Sequence, residues 1–162
     1  MEEELRAALE LMQSRVLEAL GEIPDDRLHW KPTPASTSPA EIVWHMANAE
    51  RRLAAIVRGE DPNSIGAEAG TRAWIEAAGT GQADTQAVPR DRAGLEAALA
   101  DARRETLAAL ASLSPGQLEE AAVEFAGQRR TRAFWARFIA LHHSYHAGQL
   151  FTLGALVRGG LE

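Results

Sequence analysis

Apolar residues recur at steps of three and four over most of the chain, a spacing that predicts four long amphipathic helices. The first, about residues 2–21, aligns Leu5, Leu9, Met12, Val16 and Leu20 and ends at Gly21 and Pro24. Residues 22–37, with Pro24, Pro32 and Pro34, read as a loop that carries His29 and Trp30. Ser38-Pro39-Ala40-Glu41 opens the second helix: the serine caps the first turn, proline suits the first helical position, and the glutamate reaches back as a capping box. Its stripe of Ile42, Met46, Ala49, Leu53 and Ile56 runs to about Arg58. The third, about 91–113, carries Leu95, Leu99, Ala102, Leu110 and Leu113. A short capped turn from Ser114 to Glu120 and a connector over 121–130 follow it. The fourth, about 131–157, has the broadest apolar face and closes at Gly159 and Gly160.

The stretch from Gly59 to Pro89 is long for a structureless loop, and a short helix is expected near Ala67–Ala78 around Trp74. A crossover here would let the second and third helices avoid the simple up-down neighbour arrangement. With 32 Ala and 18 Leu against 12 Val plus Ile, composition favours helix over sheet. The expected fold is all-α, a four-helix bundle with a long crossover connection between helices 2 and 3, as one domain over 1–162.

Charge and composition narrow the chemistry. A net charge of −6 and a sequence pI of about 5.4 disfavour nucleic-acid binding, and 16 of the 17 basic residues are arginines without a basic stripe. The absence of cysteine excludes disulfides, thiolate-ligated metals and a cysteine nucleophile. An acidic start, Met1-Glu2-Glu3-Glu4, is unlike a secretory signal, so a cytoplasmic location is expected. Phe138 to Val157 contains no Asp, Glu, Lys or Arg, yet three histidines, Gln149 and two glycines within it argue for a buried helix rather than a membrane span.

Three of the five histidines lie in Leu141-His142-His143-Ser144-Tyr145-His146. At ~100° per residue, with Phe134 at zero, the apolar sector spans roughly −20° to 140° and contains Tyr145, Phe138, Trp135, His142 and His146. His143 falls near 180°, on its shoulder. Two imidazoles one turn apart can converge on one cation, and His45, at the edge of the second helix's stripe, is the candidate third ligand. Three neutral imidazoles with one open position describe a catalytic metal site; imidazole suits zinc, nickel, copper or iron. A lone histidine on an apolar face is more often a hydrogen-bonded core residue, and spacing leaves that reading open. His143 stands where a metalloprotease would place its glutamate base, which argues against that class. Aromatic residues Phe134, Trp135, Phe138 and Tyr145 are expected in the core, and His29 in solvent.

Two segments carry a family likeness. Glu41-Ile42-Val43-Trp44-His45-Met46-Ala47-Asn48-Ala49-Glu50 and His142-His143-Ser144-Tyr145-His146-Ala147-Gly148-Gln149-Leu150 resemble the metal-histidine helix and the His-x-x-x-His-x-Gly-Gln signature of the DinB/YfiT-like metalloenzyme family. That family is distinct from the DNA polymerase sharing the DinB name. The likeness covers most of the chain and weakens across residues 60–90. It implies a four-helix bundle, often a homodimer, in which His45, His142 and His146 hold a divalent metal ion, zinc or nickel foremost. Relatives include transferases and isomerases that use low-molecular-weight thiols.

The expected function is therefore metal-dependent S-transfer from an external low-molecular-weight thiol to a small-molecule substrate. Metal-dependent hydrolysis and a non-catalytic stress-related binding bundle are the alternatives. No acid or base is assigned. Gln149 is a candidate for touching cofactor or substrate, and Glu41 and Asn48 for orienting His45, beside their plainer roles in capping and at the surface.

Overall fold

The computed structural model describes residues 2–62, 88–125 and 127–160. Among these the chain forms five α-helices: α1 (Glu2–Gly21), α2 (Pro39–Arg58), α3 (Arg92–Ala111), α4 (Pro115–Glu119) and α5 (Arg132–Arg158). Only isolated β-bridges, in the connector between α4 and α5, depart from helix, turn or loop. All four long helices begin and end within two residues of the positions that the periodicity predicts. The short helix expected near Ala67–Ala78 lies outside the described residues.

Local chemistry sets the boundaries. Ser38 Oγ accepts the Glu41 amide while Glu41 Oε2 accepts the Ser38 amide, completing the capping box at the start of α2. Gly59 ends that helix with φ +85°, a conformation open to glycine at little cost. Asp91 and Thr131 cap α3 and α5 in the same way as Ser38, through side-chain oxygens that accept backbone amides. Arg92 then ties the start of α3 to the end of α1, donating to the carbonyls of Leu20 and Ile23 and pairing with Asp25.

Two buried clusters stacked along the bundle give the helix directions. One unites Leu20 of α1, Val43 and Met46 of α2, Leu95 and Leu99 of α3, and Leu150 of α5. The other unites Leu9, Ile56, Leu110 and Ile139 from the same four helices. Hence α1 and α5 run one way and α2 and α3 the other. The principal packing pairs are α2 with α3, α1 with α5, and α2 with α5. The second and third helices are direct neighbours that run parallel, so the pair avoids the simple up-down arrangement. The start of α3 therefore lies toward the opposite end of the bundle from the end of α2, roughly 30 Å away, the length of 20 helical residues.

The face that α5 buries also differs from expectation. Ala136, Ile139, His143, Ala147 and Leu150 are buried, whereas Leu141 and Tyr145 are 67% and 64% exposed. Phe134 and Phe138 are also partly in solvent, and of the four aromatics expected inside only Trp135 is buried. Small side chains at 133, 136 and 147 allow close approach of α1 and α2, which bulky rings would prevent. The inward direction is thereby rotated by roughly 100° from the aromatic-weighted sector. No helix among the described residues is long and apolar enough to cross a membrane.

Candidate metal centre

Packing of α2 against α5 brings His45 to the His142 and His146 pair. One nitrogen from each of the three rings lies within 4.8 Å of the other two, a grouping that could hold a metal ion. Nε2 of His142 is 3.1 Å from Nε2 of His45 and 3.1 Å from Nε2 of His146. The spacing of four residues sets the two α5 rings one turn apart, and the helix contact supplies the third.

Proton positions follow from the partners. His146 Nδ1 is 2.6 Å from Gln149 Oε1; a carbonyl oxygen only accepts, so Nδ1 carries the proton and Nε2 keeps its lone pair. A proton on His142 Nε2 would have to be shared between two acceptors, whereas a cation accepts lone pairs from all three rings. Burial first, then the neighbouring imidazoles His142 and His146, pushes His45 down to about 2. Burial, with the charges of His146 and His143, pushes His142 down to about 3. Burial also lowers His146, against the opposing hydrogen bond to Gln149. All three rings are thus neutral at pH 7, which is the ligating form.

Behind the triad stands a group that the sequence reading missed. His143, assigned to the shoulder of its helix, is 1% exposed, and its Nε2 lies 3.0 Å from Oε2 of the fully buried Glu50. Arg103 of α3 brings Nε to 3.0 Å from Glu50 Oε1 and donates from Nη2 to His143 Nδ1 at 3.3 Å. With Nδ1 accepting, the His143 proton sits on Nε2, facing the carboxylate. Burial alone would raise the Glu50 carboxyl, but contact with His143 and the Arg103 charge outweigh it and hold the group below the ordinary carboxylate range. The network clamps α2, α3 and α5 together directly beside the triad. The available signal was Glu50 itself, four residues after Met46 and three before Leu53, inside the apolar stripe.

The remaining candidates fall as follows. Gln149 stands between His146 and a cleft of about 560 Å³ whose lining includes Ser36, Thr37, Ile42, Tyr145, Gln149 and Thr152. Its amide nitrogen donates to the Tyr145 hydroxyl at 3.1 Å. Both carboxylate oxygens of Glu41 are engaged, one by the Ser38 amide and one by Lys31 at 2.7 Å. Asn48 Oδ1 accepts from Arg51. His29 is exposed, and its Nε2 donates to the Arg90 carbonyl, linking the first loop to the approach to α3.

Comparison with known proteins bears on this arrangement. A family model described as the DinB superfamily matches residues 8–150. The fold is shared with a solved structure of a conserved protein from Enterococcus faecalis, with TM-score 0.73 over 98% of each chain at 18% sequence identity. No curated protein matches the chain.

Proposed function

This chain belongs to the DinB superfamily, and on that footing we propose that it is a metal-dependent S-transferase. It would use an external low-molecular-weight thiol, with His45, His142 and His146 as ligands to zinc or nickel in a four-helix bundle. The observation that supports this reading most is the convergence of three neutral imidazole nitrogens around His142 Nε2. Three histidine ligands would leave room for a ligand from outside the chain, as catalytic rather than structural sites do. A divalent cation held there supplies the Lewis acidity that makes a thiol more acidic at neutral pH. The chain contains no cysteine, so the sulfur comes from a cosubstrate.

The residues of the chain have distinct tasks in this reading. Gln149 holds the His146 proton on Nδ1 and so keeps Nε2 available for ligation. The clamp of Glu50, Arg103 and His143 fixes the two helices that carry the ligands. The cleft beside Gln149 positions the electrophile. The sulfur–carbon bond forms as the leaving group departs with its bonding pair, and the thiol proton passes to solvent.

The test is conjugation of monochlorobimane, in which thiol sulfur replaces chloride. Zinc- or nickel-loaded protein should accelerate it with at least one of glutathione, bacillithiol or mycothiol, and His142→Ala should abolish the acceleration. Turnover of ester substrates without thiol would replace this reading with hydrolysis. Loss of stability alone in the histidine variants, with no metal bound by the parent, would leave a non-catalytic bundle.

A further inference from the structure

The hydrogen bonds running outward from the triad have a direction. His146 Nδ1–H donates to Gln149 Oε1, and the Gln149 amide nitrogen donates to the Tyr145 oxygen. The Tyr145 hydroxyl therefore accepts within the protein, and no acceptor among the described residues takes its own proton. Reversing the chain would turn Gln149 Nε2 toward His146, strip the proton from Nδ1 and move it to Nε2, where it would block ligation. A cation on the three rings thus fixes Tyr145 as a donor.

Tyr145 lines the cleft of about 560 Å³, a volume within the range of small-molecule sites. Two of the other hydroxyls there have partners, Thr152 donating to the Gly148 carbonyl and Ser36 pairing with Thr33, and the third is that of Thr37. Among the described residues no charged side chain lines the cleft. Lys31, adjacent to the lining residue Pro32, is held by Glu41 at 2.7 Å. An ionic ligand would give up hydration there without finding a counter-charge, while a neutral one meets apolar wall from Ile42 and Leu153.

We propose that this cleft takes an uncharged electrophile bearing a carbonyl-type acceptor, and that the Tyr145 hydroxyl donates to that acceptor. The donor direction rests on the metal reading above; the preference for a neutral ligand rests on the cleft alone.

Benzamide, benzoate and benzamidine share a size and differ in charge, so they test the cleft directly. Each is titrated into the protein with and without zinc, following the backbone amide signals of Thr37, Gly148, Gln149 and Thr152 by heteronuclear NMR. Benzamide should move these signals and bind at least fivefold more tightly than either ion. In the zinc-loaded protein, Tyr145→Phe should weaken benzamide roughly three- to tenfold, the worth of one neutral hydrogen bond, with zinc content unchanged. Benzoate or benzamidine binding as tightly as benzamide, an unaltered Tyr145→Phe variant, or unmoved cleft signals would each overturn the proposal. Zinc content of the same samples reports on the metal reading separately, because a chain that takes up no zinc still ranks the three probes.

Discussion

Gln149 Oε1 lies 2.6 Å from His146 Nδ1, one turn further along α5. This single contact decides which nitrogen of His146 is bare. Replacing Gln149 with alanine frees the ring to carry its proton on either nitrogen, and metal affinity should fall by roughly tenfold to a hundredfold, as for other orienting partners of ligating histidines. Gln149→Glu keeps an acceptor at the same place and should retain the parent affinity or exceed it. Competition with a chromophoric chelator measures both. Equal affinity in the alanine variant would show that Gln149 does not set the tautomer.

The clamp behind the triad makes a separate prediction about stability. Arg103→Leu leaves the Glu50 carboxylate buried without its guanidinium, and breaking such a pair costs about 3–5 kcal/mol. Replacing Glu50 and Arg103 together with apolar residues should recover part of that loss, since no lone charge then remains. Urea unfolding of the two variants checks the order; a single variant losing less than about 1 kcal/mol would contradict the assignment.

Helix boundaries were legible because capping is local chemistry. Ser38, Pro39 and Glu41 act within one turn, and their spacing alone locates the start of α2. The three ligating candidates were legible for a related reason: a spacing of four fixes two of them, and a single histidine on the opposing stripe supplies the third. The buried face of α5 was not. Counting hydrophobic residues weights Phe138, Leu141 and Tyr145 above Ala136 and Ala147, whereas close helix packing favours the small ones. His143 was misplaced by the same error. Its partners Glu50 and Arg103 lie 53 positions apart on different helices, so their pairing is a tertiary fact without a local pattern.

Acid should weaken the metal-free fold before it affects ordinary carboxylates. In the folded chain His45 is pushed down to about 2 and His142 to about 3, and His146 is lowered too, against an ordinary 6.5 in the open chain. Below 6.5 the unfolded state binds protons that the folded state refuses, so stability is full above that pH and declines as pH falls from 6.5 toward 3. Glu50, held below its ordinary 4.5, adds a further loss once pH falls under that value. Denaturant midpoints of chelated protein between pH 8 and 4 should trace this decline, and His142→Gln should flatten it. A midpoint that rises on acidification would contradict the burial of neutral rings.

Elemental analysis coupled to zinc titration of the purified chain tests the central claim most directly. One ion per chain should bind, and His45→Ala, His142→Ala and His146→Ala should each lower the affinity at least a hundredfold while far-ultraviolet circular dichroism still reports a helical fold. Zinc or nickel bound no better by the parent than by these three variants would contradict the shared site, leaving three imidazoles, two of them only partly buried, in a helical scaffold.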